Sequence, residues 1–448
     1  MQTTKVDKVN EKLPIHQLLP LGLQQVLAMY AGVIIVPIIV GNGIGMTPEQ
    51  IAYLVAADLF TCGLATLIQS VGIGNWAGIK LPVILGCAFQ AVAPMIVIGN
   101  QYSIGSIYGA IIASGIFVII CSYFFEYLLK FFPPVVIGSI ITVIGLSLIN
   151  VGINNLGGGV GVPDFGSAKH IGLGLFVLIF IILVNSFFSG FMQSVSVLLG
   201  IVVGTVIGTM MGMVDFSIIG HEPWFRIVQP FYFGMPEFHI MPIVIMCIVA
   251  VVSMIESTGV FFAAGSVCEK EITGKDVAKG LRAEGLAQIF GGVFNSFPYT
   301  TFSQNIGLIA LTGVRSRFVV VCGGFILVVL GTIPKLAAIA TVIPTAVLGG
   351  AMVALFGMVA ISGIKNLQIV DFSKTSNMLV AGVSIALGLG VTMVPAIVGQ
   401  LPMYAKMIFE SGIVTCSLSA IILNIVLNWK EVFSGVNPEM HLPDENSL

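Results

Sequence analysis

Charge is what this chain lacks. Only 8% of its 448 residues are Asp, Glu, Lys or Arg, against roughly 25% in an average soluble domain. Eighteen basic and twenty acidic side chains cannot coat a water-exposed globule of this length, so a soluble protein is excluded and a polytopic membrane protein is expected. Histidine is almost as scarce: the five, at 16, 170, 221, 239 and 441, fall in loops or tails, where none can shuttle a proton at mid-membrane. The seven cysteines are scattered without CxxC or metal-type spacing, so they read as reduced packing residues and no metal site is expected. There is no P-loop and no dinucleotide fingerprint; the Gly-rich "GGGVGVPDFG" (157–166) adjoins no nucleotide-binding unit and reads as an outside loop. No catalytic constellation, cofactor site or nucleic-acid partner is expected, so the chain is not read as an enzyme. With no ATPase domain, uphill transport would have to draw on an ion gradient. The polar first twenty residues carry no apolar core before Leu21 and read as a tail, not a cleavable signal.

What is present is apolar length: 57% hydrophobic residues and a mean hydropathy of +1.07. A spanning helix needs about 20 mostly apolar residues. Fourteen apolar stretches lie near 20–40, 51–73, 81–99, 107–129, 134–150, 171–190, 192–214, 240–265, 281–297, 303–313, 317–334, 336–360, 376–395 and 409–428. With both termini cytoplasmic, fourteen of the eighteen Lys and Arg side chains fall inside, leaving Lys169, Arg226, Lys335 and Lys406 outside, which is the bias the positive-inside rule requires. Fourteen segments divide into seven and seven, and an odd-numbered half repeated once must be inverted in the membrane. The two defective stretches are the third of each half: 303–313 is too short, and 81–99 is interrupted by Pro82, Gly86 and Pro94. Interrupted segments at matching positions of two halves point to a transporter's binding site, because unpaired backbone groups survive at membrane depth only where protein or a watery cavity satisfies them.

The second defect lies in "FPYTTFSQNIGLIALTGVRSR" (297–317), a polar cluster between apolar runs. Gln304 and Asn305 offer amide donors and acceptors there, beside Thr300, Thr301 and Thr312; Ser303 and its neighbouring threonines could instead cap the helix that follows. Acidic side chains inside spans are few, as their cost demands. Glu256, in "VVSMIESTGVFFAAG", reads as a carboxylate facing a cavity and able to accept paired N–H groups. Glu284, in "RAEGLAQIFGGVFNS", is either a buried functional carboxyl or a near-interface partner of Arg282. Asp58 reads as a structural tie between helices, with a proton path as the alternative. Glu126 and Lys130, one turn apart, suggest an ordinary ion pair. Gln24 and Gln25 are adjacent and project about 100° apart on a helix, so at most one reaches a shared cavity. Phe89, in "LPVILGCAFQAVAPM", lies in the first defective span, where its ring or backbone N–H can meet a flat ligand.

"SQNIGLIALTG" resembles the defining motif of the nucleobase–ascorbate transporter family, Q/E-N-x-G-x-x-x-x-T, here Gln304, Asn305, Gly307 and Thr312. "GLQQVLAMYAG", "FNSFPYTTFSQN", "RAEGLAQIFGG" and the "IES" around Glu256 are similar to the same family, and the resemblance runs from about residue 18 to 430. It implies an all-α polytopic fold of fourteen spans in a seven-plus-seven inverted repeat, with spans 3 and 10 each a short strand and a half-helix. It implies a core domain (20–130 and 240–334) moving against a gate domain (131–239 and 335–430), between cytoplasmic tails 1–19 and 431–448, in a plasma-membrane homodimer. It further implies symport of a nucleobase with protons. By position, Glu256, Gln304 and Asn305 match substrate-contacting residues, Glu284 the acidic residue of proton coupling, shared with Glu256, and Phe89 the aromatic beside the bound base, with Ala88, Gln25 and the motif's Thr312 expected in the same substrate site. Gln304, where uracil carriers have Glu, resembles the purine branch, so xanthine is the expected substrate and uric acid the alternative. The departures are Gln25 in place of a histidine, Val260 in place of a second polar residue after Glu256, and Ala88 where some xanthine carriers have Asn.

Overall fold

The computed structural model describes residues 8–433 apart from 126, 128 and 129. Glu126, and with it the ion pair expected with Lys130, lies outside the described residues. The fold is mostly helical. Its first half runs α1 (Ile15–Gly43), α2 (Pro48–Val71), β1 (Leu85–Cys87), α3 (Val92–Gln101), α4 (Ile104–Ser122), α5 (Pro134–Leu156), α6 (Ala168–Phe187) and α7 (Ser196–Met210). The second half runs α8 (Ile240–Val267), α9 (Gly274–Val293), β2 (Tyr299–Thr301), α10 (Gln304–Thr312), α11 (Arg317–Gly331), α12 (Pro334–Thr341), α13 (Thr345–Leu367), α14 (Thr375–Met393) and α15 (Gly412–Leu427). Eight described helices are long and apolar enough to cross a membrane, or nine if α11 and α12, bent by 81°, count as one.

Local chemistry explains the boundaries. Thr47 and Gln50 form a reciprocal capping box with Pro48 at the first helical position, which starts α2. Thr273 and Asp276 do the same for α9, so that helix begins seven residues before the apolar stretch read at 281 and carries its charged turns beyond it. Pro82 and Pro298 disfavour helix in the residues before them, and both following segments are extended. They pair antiparallel, Leu85 with Thr301, Gly86 with Thr300 and Cys87 with Tyr299. The ladder continues at both ends: the Ala88 N–H donates to the Pro298 carbonyl (2.9 Å) and the Phe302 N–H to the Ile84 carbonyl (3.0 Å). Gly86 is required here, since a Cβ would lie 2.5 Å from the Phe302 ring.

Two groups of helices pack within themselves: α1, α2, α4, α9 and α11 in one, α5, α6, α7, α13, α14 and α15 in the other. α8 touches both, lying on α4 and β2 and against α5 and α15. Small residues would suit an interface where such groups slide, yet the closest backbone approaches lie inside each group. A Cβ on Gly115 of α4 would fall 2.7 Å from the Gly285 carbonyl of α9, and the reverse holds equally; in the other group Gly363 of α13 leaves room for Thr142 of α5.

Basic residues assigned to the inside gather at one end of the molecule. Arg317 donates to Asn10 Oδ1 and to the Ser70 carbonyl, both at 2.7 Å, Arg282 to the Trp76 carbonyl at 2.6 Å, and Arg315 pairs with Glu269 at 2.7 Å. At the other end of α11, Lys335 sits over Trp224 (4.7 Å to the ring centroid) and Arg226 pairs with Glu222 (3.2 Å). On that side the chain leading into α8 is strapped to the start of α4: the Glu237 N–H donates to the Gly105 carbonyl (3.0 Å). Hydrogen bonds from Ser103, His239 and Ser106 hold the Glu237 carboxyl below the usual carboxylate range.

Candidate functional site: a carboxylate between two interrupted helices

The two-stranded ladder sets the geometry. Because β1 and β2 are antiparallel, α3 and α10 leave it from opposite ends, each with its N-terminus towards the ladder. Neither start is capped by a side chain: Ala88, before the turn that leads into α3, and Ser303, before α10, make no side-chain cap hydrogen bond. The capping expected of Ser303 is therefore not made. Uncapped first-turn N–H groups at a helix start carry partial positive charge, so both ends face the ladder region as donors.

Glu256 reaches this region from the middle of α8, half-buried. Its Oε2 accepts a hydrogen bond from Gln90 Nε2 at 3.1 Å, and the same amide donates to Ser253 Oγ at 2.7 Å. Gln90 thus fixes the carboxylate without neutralising it. Gln304 occupies the first position of α10, solvent-accessible, on a helix that packs against α8. Phe89 is 7% exposed; its ring lies near-parallel to Phe302 (centroids 5.9 Å apart, 21°) and edge-on to Phe356 of α13 (5.6 Å, 87°). Ala88 is fully buried and its N–H is spent on the ladder.

Asn305 and Gln25 are joined to each other. The Asn305 amide donates to Gln25 Oε1 (2.7 Å) and to the Gln25 carbonyl (2.9 Å), and both residues are buried. This locks α10 to α1 and leaves Asn305 Oδ1 as a buried acceptor without a partner. Thr312 ends α10, eight positions and about 12 Å along the helix from Gln304, with its hydroxyl donating to the Leu308 carbonyl at 2.9 Å.

Glu284 is completely buried and takes a 2.7 Å hydrogen bond from the Thr301 hydroxyl. Arg282 does not pair with it; it bonds Trp76 and lies over the Tyr123 ring (5.0 Å). Asp58 is a tie between elements, its carboxylate accepting from Cys87 Sγ (2.6 Å), Ser296 (2.8 Å) and Tyr299 (2.9 Å). Two residues of the site were not singled out from the sequence: Gln90 and Phe302. The signals available were an amide in the same interrupted span and a second aromatic in the other.

The arrangement offers recognition: one fixed carboxylate, one open carboxamide, donor-rich helix starts and aromatic walls. Residues 16–397 match the profile of the "Permease family" of xanthine and uric acid type. The chain belongs to this nucleobase–ascorbate transporter family. The permease is 51% identical over 429 residues to the xanthine permease of Bacillus subtilis (strain 168), covering 96% of this chain and 98% of that one. It is 49% identical over 415 residues to the uric acid permease PucK of the same organism, covering 93% and 96%. Its fold is similar to the transmembrane domain of a cyanobacterium bicarbonate transporter, BicA, with a TM-score of 0.61 at 14% identity over 87% of this chain and 100% of that one. The permease is a multi-pass membrane transporter of nucleobases, not an enzyme.

Proposed function

We propose that the permease imports xanthine with protons across the plasma membrane, by alternating access of the core domain (20–130 and 240–334) against the gate domain (131–239 and 335–430). Fourteen crossings in two inverted halves put both termini in the cytoplasm, and two copies form a homodimer in the lipid. The observation that carries this is Glu256, held by Gln90 at the meeting of two uncapped half-helices. A flat oxopurine presents N–H groups, which a carboxylate accepts, and carbonyls, which helix N-termini and the Gln304 amide meet. Phe89 flanks the ring, Ala88 leaves room beside it, and Gln25 and Asn305 support the site by holding α10. Glu256 and Glu284 carry the proton. Thr312, at the far end of α10, completes the helix.

Uric acid is the second reading, favoured by the similarity to PucK. An anion exchanger, a reading suggested by the fold shared with the bicarbonate transporter BicA, is disfavoured by a carboxylate where an anion would sit. The test is uptake of labelled xanthine into proteoliposomes under an imposed pH gradient, with uric acid, uracil and sulfate as competitors. Xanthine should accumulate, excess unlabelled xanthine should compete best, and collapsing the gradient should stop accumulation. Accumulation sustained by sodium alone would overturn the proton assignment; stronger competition by uric acid would move the substrate to the second reading.

A further inference from the structure

Glu284 has no route of its own to water: it is completely buried, whereas Glu256 is partly exposed. Between them lies a set of hydroxyls that no substrate contact accounts for. The Ser257 and Thr300 hydroxyls are 3.0 Å apart, and the Thr301 N–H pins Ser257 Oγ in place at 3.0 Å. Thr301 ties this pair to Glu284, since the residue whose N–H holds Ser257 also donates its hydroxyl to Glu284, and Ser257 directly follows Glu256 in α8. Glu284 is held by the Thr301 hydroxyl through Oε1, while its Oε2 is buried without a hydrogen bond. The other titratable groups on the elements against α9 are directed elsewhere: Asp58 of α2 is bound by Cys87, Ser296 and Tyr299, and Tyr108 of α4 donates to the Asn295 carbonyl.

The geometry points to the Ser257–Thr300 hydroxyl pair as the proton relay between Glu284 and Glu256, a positioning and transfer element of the symport cycle. The inference rests on the reading above, in which Glu256 grips the base and protons drive accumulation. When Glu256 is free of substrate, the Glu284 proton passes to Ser257 Oγ as the Ser257 proton passes to Thr300 Oγ1 and the Thr300 proton to Glu256. One O–H bond breaks at each donor as one forms at the next oxygen. Glu284 ends as a carboxylate, Glu256 as the acid, and both hydroxyls are restored. Glu256 then loses the proton to the water-accessible side, and the reverse sequence reloads Glu284. While substrate occupies Glu256 the relay has no acceptor, so the proton stays on Glu284 during the crossing.

The experiment separates exchange from accumulation. Ser257→Ala, Thr300→Val and the hydroxyl-retaining Thr300→Ser are reconstituted beside the wild type. Two readouts are taken with labelled xanthine: counterflow against unlabelled xanthine at equal pH, which needs no proton to leave Glu284, and accumulation under a gradient of about one pH unit, which for one proton per base sustains about tenfold. Ser257→Ala and Thr300→Val should keep counterflow, which also shows that they fold, and lose accumulation. Thr300→Ser should keep both. Accumulation at the wild-type level in Ser257→Ala and Thr300→Val would overturn the relay. So would counterflow falling together with accumulation, or loss of accumulation in Thr300→Ser, since the hydroxyls would then only be structural. A wild-type protein that binds xanthine but shows no pH-driven accumulation would remove the underlying proton coupling instead, and one that does not bind it would remove the site itself.

Discussion

The two interrupted segments share a backbone plan and divide the chemistry between them. Each is a three-residue strand, a short loop and a half-helix whose start lacks a side-chain cap. The first turns its polar side chain inwards: Gln90 is 1% exposed and its amide donates to Ser253 and Glu256 of α8. The second leaves Gln304 open and buries its neighbour Asn305 against α1. One arm therefore fixes the carboxylate, and the other leaves its amide open. The lesson is that two interrupted segments can share matching helix termini while their side chains take different tasks, one holding the site and the other left free to read a ligand.

The comparison breaks first at Glu256, to which both arms relate. Glu256→Gln exchanges a charge-assisted acceptor for a neutral amide that also donates. Hydrogen bonds to charged groups are worth about 1.5–3 kcal/mol, so xanthine affinity should fall by about 10- to 100-fold in calorimetry. Unchanged affinity would remove the carboxylate from the ligand. Gln304→Ala deletes the open amide and should weaken binding by about tenfold with thermal stability unchanged, the signature of a group that meets ligand alone. Gln90→Ala should act differently: Glu256 and Ser253 lose their shared donor, so affinity falls only a few-fold while stability falls too. If Gln90→Ala and Gln304→Ala gave the same pattern, the division between a holding and a reading arm would be wrong.

Much of this plan is legible in the sequence. Pro82, Gly86 and Pro94 mark one break, and the shortness of 303–313 marks the other. Glu256 stands out because a carboxyl in a long apolar helix needs a reason. What the sequence withholds is how each polar group spends its bonds. The pairing of Leu85 with Thr301 joins segments more than 200 positions apart, so nothing local brings Phe302 to Phe89. Gln304 and Asn305 look alike as neighbouring amides, but adjacent helix positions point about 100° apart, and only the contact with Gln25 shows which one is consumed. Glu284 beside Arg282 leaves a functional carboxyl and an interface pair both open; two positions apart on α9 the side chains project about 200° apart, so Arg282 reaches Trp76 while Glu284 is buried.

Asn305 offers the sharper test within the motif. Its amide donates twice to Gln25 inside a buried contact, so Asn305→Ala leaves the Gln25 acceptors unpaired. Leaving such groups unsatisfied costs about 1–3 kcal/mol, which should appear as a lower melting temperature and poorer membrane yield, with affinity in the surviving protein changed less than for Gln304→Ala. A large affinity loss at unchanged stability would instead place the unpartnered Asn305 Oδ1 on the ligand.

The smallest effect is expected at the end of the same helix. Thr312 is the last residue of the family motif, yet its side chain is exposed and its hydroxyl stays in local bonds, donating to the Leu308 carbonyl (2.9 Å) and accepting from the Val314 N–H (3.4 Å). Thr312→Ala removes a local bond whose carbonyl water can satisfy, so xanthine affinity and uptake should stay within about twofold, the range of ordinary surface substitutions. Gly313, one position on, is held at φ +67°, where any Cβ is strained, and Gly313→Ala should cost stability by about 1 kcal/mol. A motif can thus be spelled by residues of two kinds: those near the start of α10 that anchor it to α1 or stay open, and those at its end that stop the helix. An affinity loss of tenfold or more in Thr312→Ala would mean that the far end of α10 reaches the substrate and that the site spans the whole half-helix.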